Sequence, residues 1–393
     1  MKMHTRCFNC GTGDLSPFYE VEGVPVHSVL LMPTREEAVQ YPRGDLKLAF
    51  CPACGFVQNM VFDPEVHEYS TRYEETQGFS PTFQKFHRDL ADRLIERFAL
   101  KDREVLEIGC GKGEFLALMC EAGSNRGIAI DPSCVPERVE GPAAPRIRVI
   151  QELYSEAHLD LEADFICCRH TLEHIQPTKD FVDLVRRAAS RRPGTAVCFE
   201  LPDVARVLDE CAFWDLYYEH CSYFSLGSLA RLFRSLDFEI LELETEFDDQ
   251  YLILDARISS GPGGRRFEAE EDLERLAASV ERFRRTIPAK LDEWRSLLRS
   301  AAGRGEKTVL WGSGSKAVAF LTTLGVGDEV GFVTDINPYR HHMFMPGTGH
   351  EIVPPADLKR YRPDNVVIMN PIYRDEIRSD LESMGLEPRL YSL

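Results

Sequence analysis

No stretch of this 393-residue chain stays apolar for the roughly 20 residues that a bilayer-crossing helix needs. The opening residues, Met-Lys-Met-His-Thr-Arg-Cys, lack the apolar core of a secretory signal. Membrane anchoring is therefore not expected, and the compartment expected is the cytoplasm. Positive charge is in deficit: 46 Lys and Arg face 64 Asp and Glu, for a net charge of −18. Such a surface repels a phosphate backbone, which argues against a nucleic-acid polymer as partner. A local pocket for a single nucleotide stays open. Cysteine is not scarce, at 12, but without a signal segment a disulfide framework is not expected.

A chain of this length exceeds one ordinary core, so two or three domains are expected. Hydrophobic content of 44% and charged content of 28% describe a soluble globular protein. Four cysteines stand apart, as Cys7-Phe-Asn-Cys10 and Cys51-Pro-Ala-Cys54, each pair followed by glycine. Two such knuckles about 40 residues apart fit tetrahedral thiolate coordination of Zn²⁺. The glycines permit tight turns that aim backbone N–H groups at sulfur. The alternative is a redox pair. With four ligands the zinc is read as structural, and the short strands between the knuckles (around Tyr19 and 46–50) leave much of the folding energy to the ion. The other eight cysteines are expected to pack as small apolar residues.

The stretch Val105-Leu-Glu-Ile-Gly-Cys-Gly-Lys-Gly-Glu-Phe-Leu116 predicts a buried strand, a turn at Gly109, Gly111 and Gly113, and a helix from Glu114. Glycine lets the backbone approach a ligand, and a helix N-terminus offers free N–H groups. The next apolar run ends in Asp131, about 20 residues on, where a carboxylate meets a ribose diol. The spacing is G-x-G-x-G rather than G-x-G-x-x-G. The strand also carries Glu107, a poor neighbour for pyrophosphate and a good one for an amine. S-adenosylmethionine has that amine and no phosphate, and the unit resembles motif I of class I methyltransferases that use it. Glycines serving packing alone are the bland alternative.

From 83 to 250 the pattern alternates, with strands expected at 104–108, 126–130, 146–150, 164–168, 195–200, 238–243 and 251–257. It implies an α/β fold: a parallel sheet with helices on both faces and ligands at the strand ends. Those ends carry Glu107, Asp131, Gln151 (at an adenine edge), His170 of His170-Thr-Leu-Glu-His174, and Glu200. Residues 62–90 are polar and aromatic, with Tyr69 and Tyr73 at helical spacing and a helix starting at Ser80-Pro81. They read either as an ordinary linker or as a lid over the reacting groups. The run 213–225 is dense in aromatics and holds Glu219 and His220; on the residues alone this histidine reads equally as a core residue. After a linker at 258–267 and a long charged helix at about 268–303, Lys307-Thr-Val-Leu-Trp-Gly312-Ser-Gly314 begins a second Rossmann-like unit, with further strands ending at Asp335 and Asn370. Its glycine turn reads as a nucleotide site, as packing, or as one wall of a substrate cleft.

The four-cysteine module, the G-x-G-x-G domain with Tyr218-Glu-His-Cys-Ser-Tyr-Phe-Ser225, and the second Rossmann-like unit occur in that order. Together they resemble the sugar C-methyltransferase family, whose members methylate nucleotide-linked keto-deoxysugars; the resemblance covers nearly the whole chain. It implies three parts: a zinc-binding module at 1–62, a methyltransferase domain at 63–260, and a linker helix with a C-terminal Rossmann-like domain at 261–393. It implies S-adenosylmethionine and Zn²⁺ as cofactors and a nucleotide-sugar as substrate. It makes His220 the base that removes an α proton, Glu219 the group that holds a sugar hydroxyl or orients the histidine, and Tyr69 or Tyr73 the donor to the enolate oxygen. The stretch Pro25-Val-His-Ser-Val-Leu-Leu31 departs from the Pro-Leu-Ala-Asn-like pattern of that family. The rival readings are O- or N-methylation of another metabolite, and a non-catalytic binding protein.

Overall fold

The computed structural model describes residues 3–67, 69–261 and 264–393. In chain order the first strands are β1 (Ser16–Pro25), β2 (Arg43–Phe50), β3 (Val57–Asn59), β4 (Glu104–Ile108), β5 (Arg126–Ile130), β6 (Ile147–Ile150), β7 (Phe165–Arg169) and β8 (Ala196–Pro202). They are followed by β9 (Ser222–Tyr223), β10 (Phe238–Glu246), β11 (Tyr251–Ile258), β12 (Thr308–Trp311), β13 (Phe332–Thr334), β14 (Ile352–Val353), β15 (Asn365–Ile368) and β16 (Arg389–Ser392). These strands build three sheets.

The central sheet has the order β10-β11-β8-β7-β4-β5-β6. Its middle strands are apolar because both faces are covered: every residue of β7 is buried. β4 pairs in parallel with β5 and β7, which brings the ends of three strands to one edge. The expectation of a wholly parallel sheet is corrected at β11, which runs antiparallel to both β8 and β10. The connection from β10 is too short for a helical crossover. It turns back through Phe247, Asp248 and Asp249, all at positive φ near 55–60°.

The first sheet, β1-β2-β3-β9, is antiparallel. Its last strand arrives from far downstream, pairing Tyr223 with Val57 and Ser222 with Gln58. The cysteine-bearing segment is therefore closed by the strand that follows His220. The third sheet, β14-β13-β12-β15-β16, is all parallel. The fold is thus α/β, with a class I Rossmann-like sheet, a small cysteine-bearing sheet and a second Rossmann-like sheet.

Local chemistry sets the helix starts. Ser80 Oγ accepts the Phe83 N–H at 3.3 Å, with Pro81 first in the helix Pro81–Phe98. Ser225 and Ser228 form a reciprocal cap on Leu226–Arg234. The charged helix runs over Leu273–Gly303, later than the expected 268, because a single short turn at Glu268–Glu270 precedes it. Its Phe283 packs edge-on against Phe18 and Tyr19 of β1. Of the linker expected before it, Pro262 and Gly263 lie outside the described residues, as do Met1, Lys2 and Glu68.

Candidate active site

The end of β4 shapes one wall of a large cavity. Gly109 (φ +71°) donates its N–H to the Ile130 carbonyl at 2.8 Å. The Asp131 carboxylate accepts the N–H of Gly111 at 2.9 Å and that of Ser133 at 2.7 Å, and so pins the turn to its own loop. Gly113 (φ +78°) starts the helix Glu114–Ala122. A Cβ on Gly109 would stand 1.8 Å from Thr171 Oγ1, and one on Gly111 would stand 2.3 Å from Glu75 Oε1. Lys112 Nζ, buried, donates to the carbonyls of Tyr73 (2.5 Å) and Ser133 (2.9 Å), tying segment 73–80 over the turn. Glu107 is 2% exposed and its Oε2 has no hydrogen-bond partner. Burial pushes its carboxyl up to about 8. A buried carboxyl with one open oxygen at the cavity wall can take a cation, which would favour its ionised form.

S-adenosylmethionine fits this donor set. Its ammonium matches the unpartnered oxygen of Glu107, and its ribose matches Asp131, whose oxygens keep further lone pairs. Gln151 does not face the cavity. It is exposed and donates to the Cys134 carbonyl at 2.7 Å, so Glu152, Leu153 and Tyr154 edge the cavity instead. His170, at φ +46°, bridges Glu200 (2.8 Å) and Glu173 (3.4 Å). Burial opposes its charge, but these two carboxylates outweigh burial and raise it to about 9. His170 is thus a cation on the cavity wall.

On the opposite side Tyr69, Tyr73, His174 and His220 meet. Tyr69 Oη lies 3.1 Å from His174 Nδ1, and the two tyrosine rings are 5.4 Å apart. Burial holds both phenols well above their usual range, so they stay O–H donors. The His220 ring rests against Tyr217 (4.1 Å) and His174 (4.8 Å) and exchanges no hydrogen bond with the described residues. Burial, then the neighbouring His174, His170 and Lys316, depress it well below the usual histidine value. It is therefore a neutral imidazole. Glu219 points away from it: its Oε1 meets His27 Nδ1 at 2.6 Å, and Oε2 accepts from Ser28. Burial raises the Glu219 carboxyl, but these partners outweigh it and hold the group ionised. Ser28 Oγ in turn lies 2.7 Å from Ser315 Oγ, so one network joins the segment after β1, the loop before β9 and the helix Ser315–Leu324 after β12. His27 and Ser28 were not singled out from the sequence as site residues; the only signal there was the departure at 25–31.

The second Rossmann-like unit forms the far wall. Lys316 pairs with Asp215, and Arg206 reaches the same carboxylate at 3.1 Å. Gln250 and Asn370 exchange two side-chain hydrogen bonds of 3.0 Å. All this encloses a cavity of about 1300 Å³ running from the glycine turn to His220 and Asn370.

The four cysteine sulfurs converge outside this cavity, all within 4.8 Å, with Cys7–Cys54 and Cys10–Cys51 each at 3.6 Å. Tetrahedral Zn–S bonds of about 2.3 Å put sulfurs at about that separation. The two knuckles are alike: Gly11 N–H bonds the Cys7 carbonyl and Gly55 N–H the Cys51 carbonyl, each at 2.8 Å. The donor set fits Zn²⁺.

Residues 83–243 match a methyltransferase domain family, and residues 265–386 match the C-methyltransferase C-terminal domain family. The chain is similar to the C-methyltransferase NovU of Streptomyces niveus, 25% identical over 95% of this chain and 91% of that one. Among solved structures, an O-methyltransferase family protein from Burkholderia thailandensis superposes with a TM-score of 0.36 at 16% identity, covering 46% of this chain and 59% of that chain. Magnesium protoporphyrin IX methyltransferase from Synechocystis PCC 6803 with bound S-adenosylhomocysteine does so with 0.35 at 15%, covering 45% and 84%. The chain is an S-adenosylmethionine-dependent methyltransferase. The C-terminal family match and the relative along its length support, more narrowly, a C-methyltransferase. Among the described residues, no helix is long and apolar enough to cross a membrane.

Proposed function

We propose that the enzyme methylates a carbon next to the carbonyl of a nucleotide-linked keto-deoxysugar. The observation that carries this reading is His220: a neutral, unbonded imidazole inside the cavity that also holds the glycine turn. A carbon acid needs a base to lose its α proton and a donor to hold the enolate oxygen. His220 takes the proton, and the C–H electron pair moves onto the carbonyl oxygen. Tyr69 or Tyr73 donates to that oxygen. The methyl donor, held by Glu107 and Asp131, supplies the electrophilic methyl group. The cavity's volume supports two ligands at once, since a pocket for one small ligand measures about 300–1000 Å³. Glu219 acts by fixing the chain at His27 rather than by touching the sugar. The four cysteines hold a structural zinc that fixes the module at 1–62 against the catalytic part at 63–260, with 261–393 as the far wall.

Incubation with a keto-sugar nucleotide in D₂O, without methyl donor, tests the reading. Deuterium is expected at the α carbon by NMR, and His220→Ala should slow exchange at least ~100-fold. Exchange that persists unchanged in that variant removes His220 as the base. Methylation of oxygen or nitrogen in place of carbon would show no such exchange.

A further inference from the structure

The resemblance has Glu219 hold a sugar hydroxyl or orient His220, whereas in the structure its two oxygens go to His27 and Ser28. That leaves a base embedded among neutral and cationic groups. Facing His220 are the rings of Tyr217 and Tyr223 from its own segment and of His174 from the turn Leu172–His174; His170 and Lys316 act on it as charges. Asp215 is taken by Lys316 and Arg206. An imidazole that gains a proton here needs an anion nearby, or the proton transfer stalls.

Glu173 supplies one. It lies in the same short turn as His174, is 2% exposed, and lines the cavity. Neither of its carboxylate oxygens has a hydrogen-bond partner. Its nearest charged neighbour is His170 Nδ1, at 3.4 Å. A Glu173 oxygen and one ring nitrogen each of His174 and His220 all lie within 4.8 Å of one another. Its backbone carbonyl accepts the N–H of Cys221 at 3.0 Å, so the turn and the histidine segment are joined directly. Buried carboxylates are normally saturated with donors; this one faces only the His170 cation, at 3.4 Å, and keeps lone pairs beside two imidazoles, where it can receive a proton-bearing ring.

We infer that Glu173 is a positioning residue: its buried carboxylate holds the ring of His220 once that ring has taken the α proton. The step balances within the cavity. The substrate C–H bond breaks, its electron pair becomes the enolate, and the proton rests on His220, facing Glu173. After transfer His220 returns the proton to water. This inference rests on the proposed role of His220.

The test is the D₂O exchange assay. An opposite charge within about 4–6 Å moves a pKa by one to three units, so Glu173→Gln should slow exchange by at least about tenfold. The KM for the keto-sugar nucleotide and the affinity for S-adenosylhomocysteine should stay within about twofold, because the residue acts through His220. Glu173→Asp, which keeps the charge, should recover much of the rate. Formate should partly restore Glu173→Ala, which also covers the case in which the glutamine variant does not fold. Exchange by Glu173→Gln close to wild type overturns the inference; so does failure of both aspartate and formate to restore the rate. Two zinc ions per chain, the second lost in Glu173→Gln, would assign the trio to a metal and overturn it too. If wild type does not exchange, or His220→Ala exchanges freely, the proposed function itself fails, and that outcome is recognised before any Glu173 variant is made.

Discussion

The molecule contains the same device twice along one cavity, and the two copies differ in what stands beside the turn. At the end of β4, Gly109 N–H bonds the Ile130 carbonyl, and Asp131 accepts from Gly111 and Ser133. At the end of β12, Gly312 N–H bonds the Thr334 carbonyl at the same 2.8 Å, and Asp335 accepts from the N–H of Ser313 (2.7 Å) and of Asn337 (2.8 Å). The differences lie in the side chains. The position of Glu107 is taken by Leu310, fully buried. Over the second turn sits Arg340, bonded to Ser313 Oγ at 3.2 Å and to the Glu74 carbonyl. One turn keeps an unpaired carboxylate for a cation; the other already holds a cation belonging to the protein. A glycine turn closed by an aspartate is therefore a backbone solution to a strand–helix junction. What sets the first turn apart is the carboxyl oxygen left without a partner beside it.

The sharpest way to break this contrast is to add one methyl group to each turn. At Gly109 an alanine meets Thr171 and adopts a φ that costs about 1–2 kcal/mol for any L side chain. Gly314 has φ −74° and its nearest neighbour to a Cβ is Arg340, at 3.9 Å. Gly109→Ala is expected to lose binding of S-adenosylhomocysteine by at least ~100-fold in calorimetry, since the close approach of backbone to ligand goes with it. Gly314→Ala should stay within about threefold of wild type, as a residue added in open space should. Equal losses in the two variants would mean that both turns contribute to binding the methyl donor.

How much of this was legible beforehand divides along the same line. The strands of the central sheet could be read because most are short, largely apolar runs ended by glycine or a polar residue, while β10 alternates apolar with acidic residues. The capping serines and the G-x-G-x-G turn are equally local signals. Gln151 follows a strand end and so reads as an adenine contact, yet its amide is used by a carbonyl 17 residues upstream. Glu219 sits next to His220 in sequence but finds its partner at His27, 192 residues away. Spacing along the chain reports which residues share an element. It does not report which polar atoms are consumed by distant backbone and which remain free. Glu173 lay inside a quoted motif, and only its unpartnered oxygens distinguish it.

Titration sharpens the comparison further, because Leu310 has nothing to titrate. Burial raises Glu107 from an ordinary 4.5 to about 8. Between those two values the folded protein holds a proton that the unfolded chain has released. Stability should therefore fall as pH rises through this window. Glu75, raised by burial to about 7, adds to the lower part of the slope. An ammonium beside Glu107 favours its ionised form and should remove much of its share. Thermal melts between pH 5 and pH 8 are expected to show a Tm that declines with pH, with the increment from S-adenosylmethionine growing over the same range. Glu107→Gln should flatten the decline and reduce that increment. A glutamine variant with the full wild-type slope would place its origin elsewhere.

The smallest expected effect belongs to the cation over the second turn. Arg340 joins Ser313 to segment 73–80, whose Glu74 also accepts from Asn337 Nδ2 at 2.9 Å and pairs with Arg138 at 2.5 Å. Burial disfavours the Glu74 charge, yet these donors outweigh it and keep the carboxyl below its usual value. Arg340→Ala removes two charge-assisted bonds but leaves Asn337 and Arg138 in place. It should cost about 2 kcal/mol of stability in chemical denaturation. Affinity for S-adenosylhomocysteine should change by no more than about threefold, because Lys112 and the Asp131 lock still hold the first turn. A loss of donor binding comparable to that in Gly109→Ala would show that the two turns are coupled through segment 73–80, and the division into one binding turn and one wall would no longer stand.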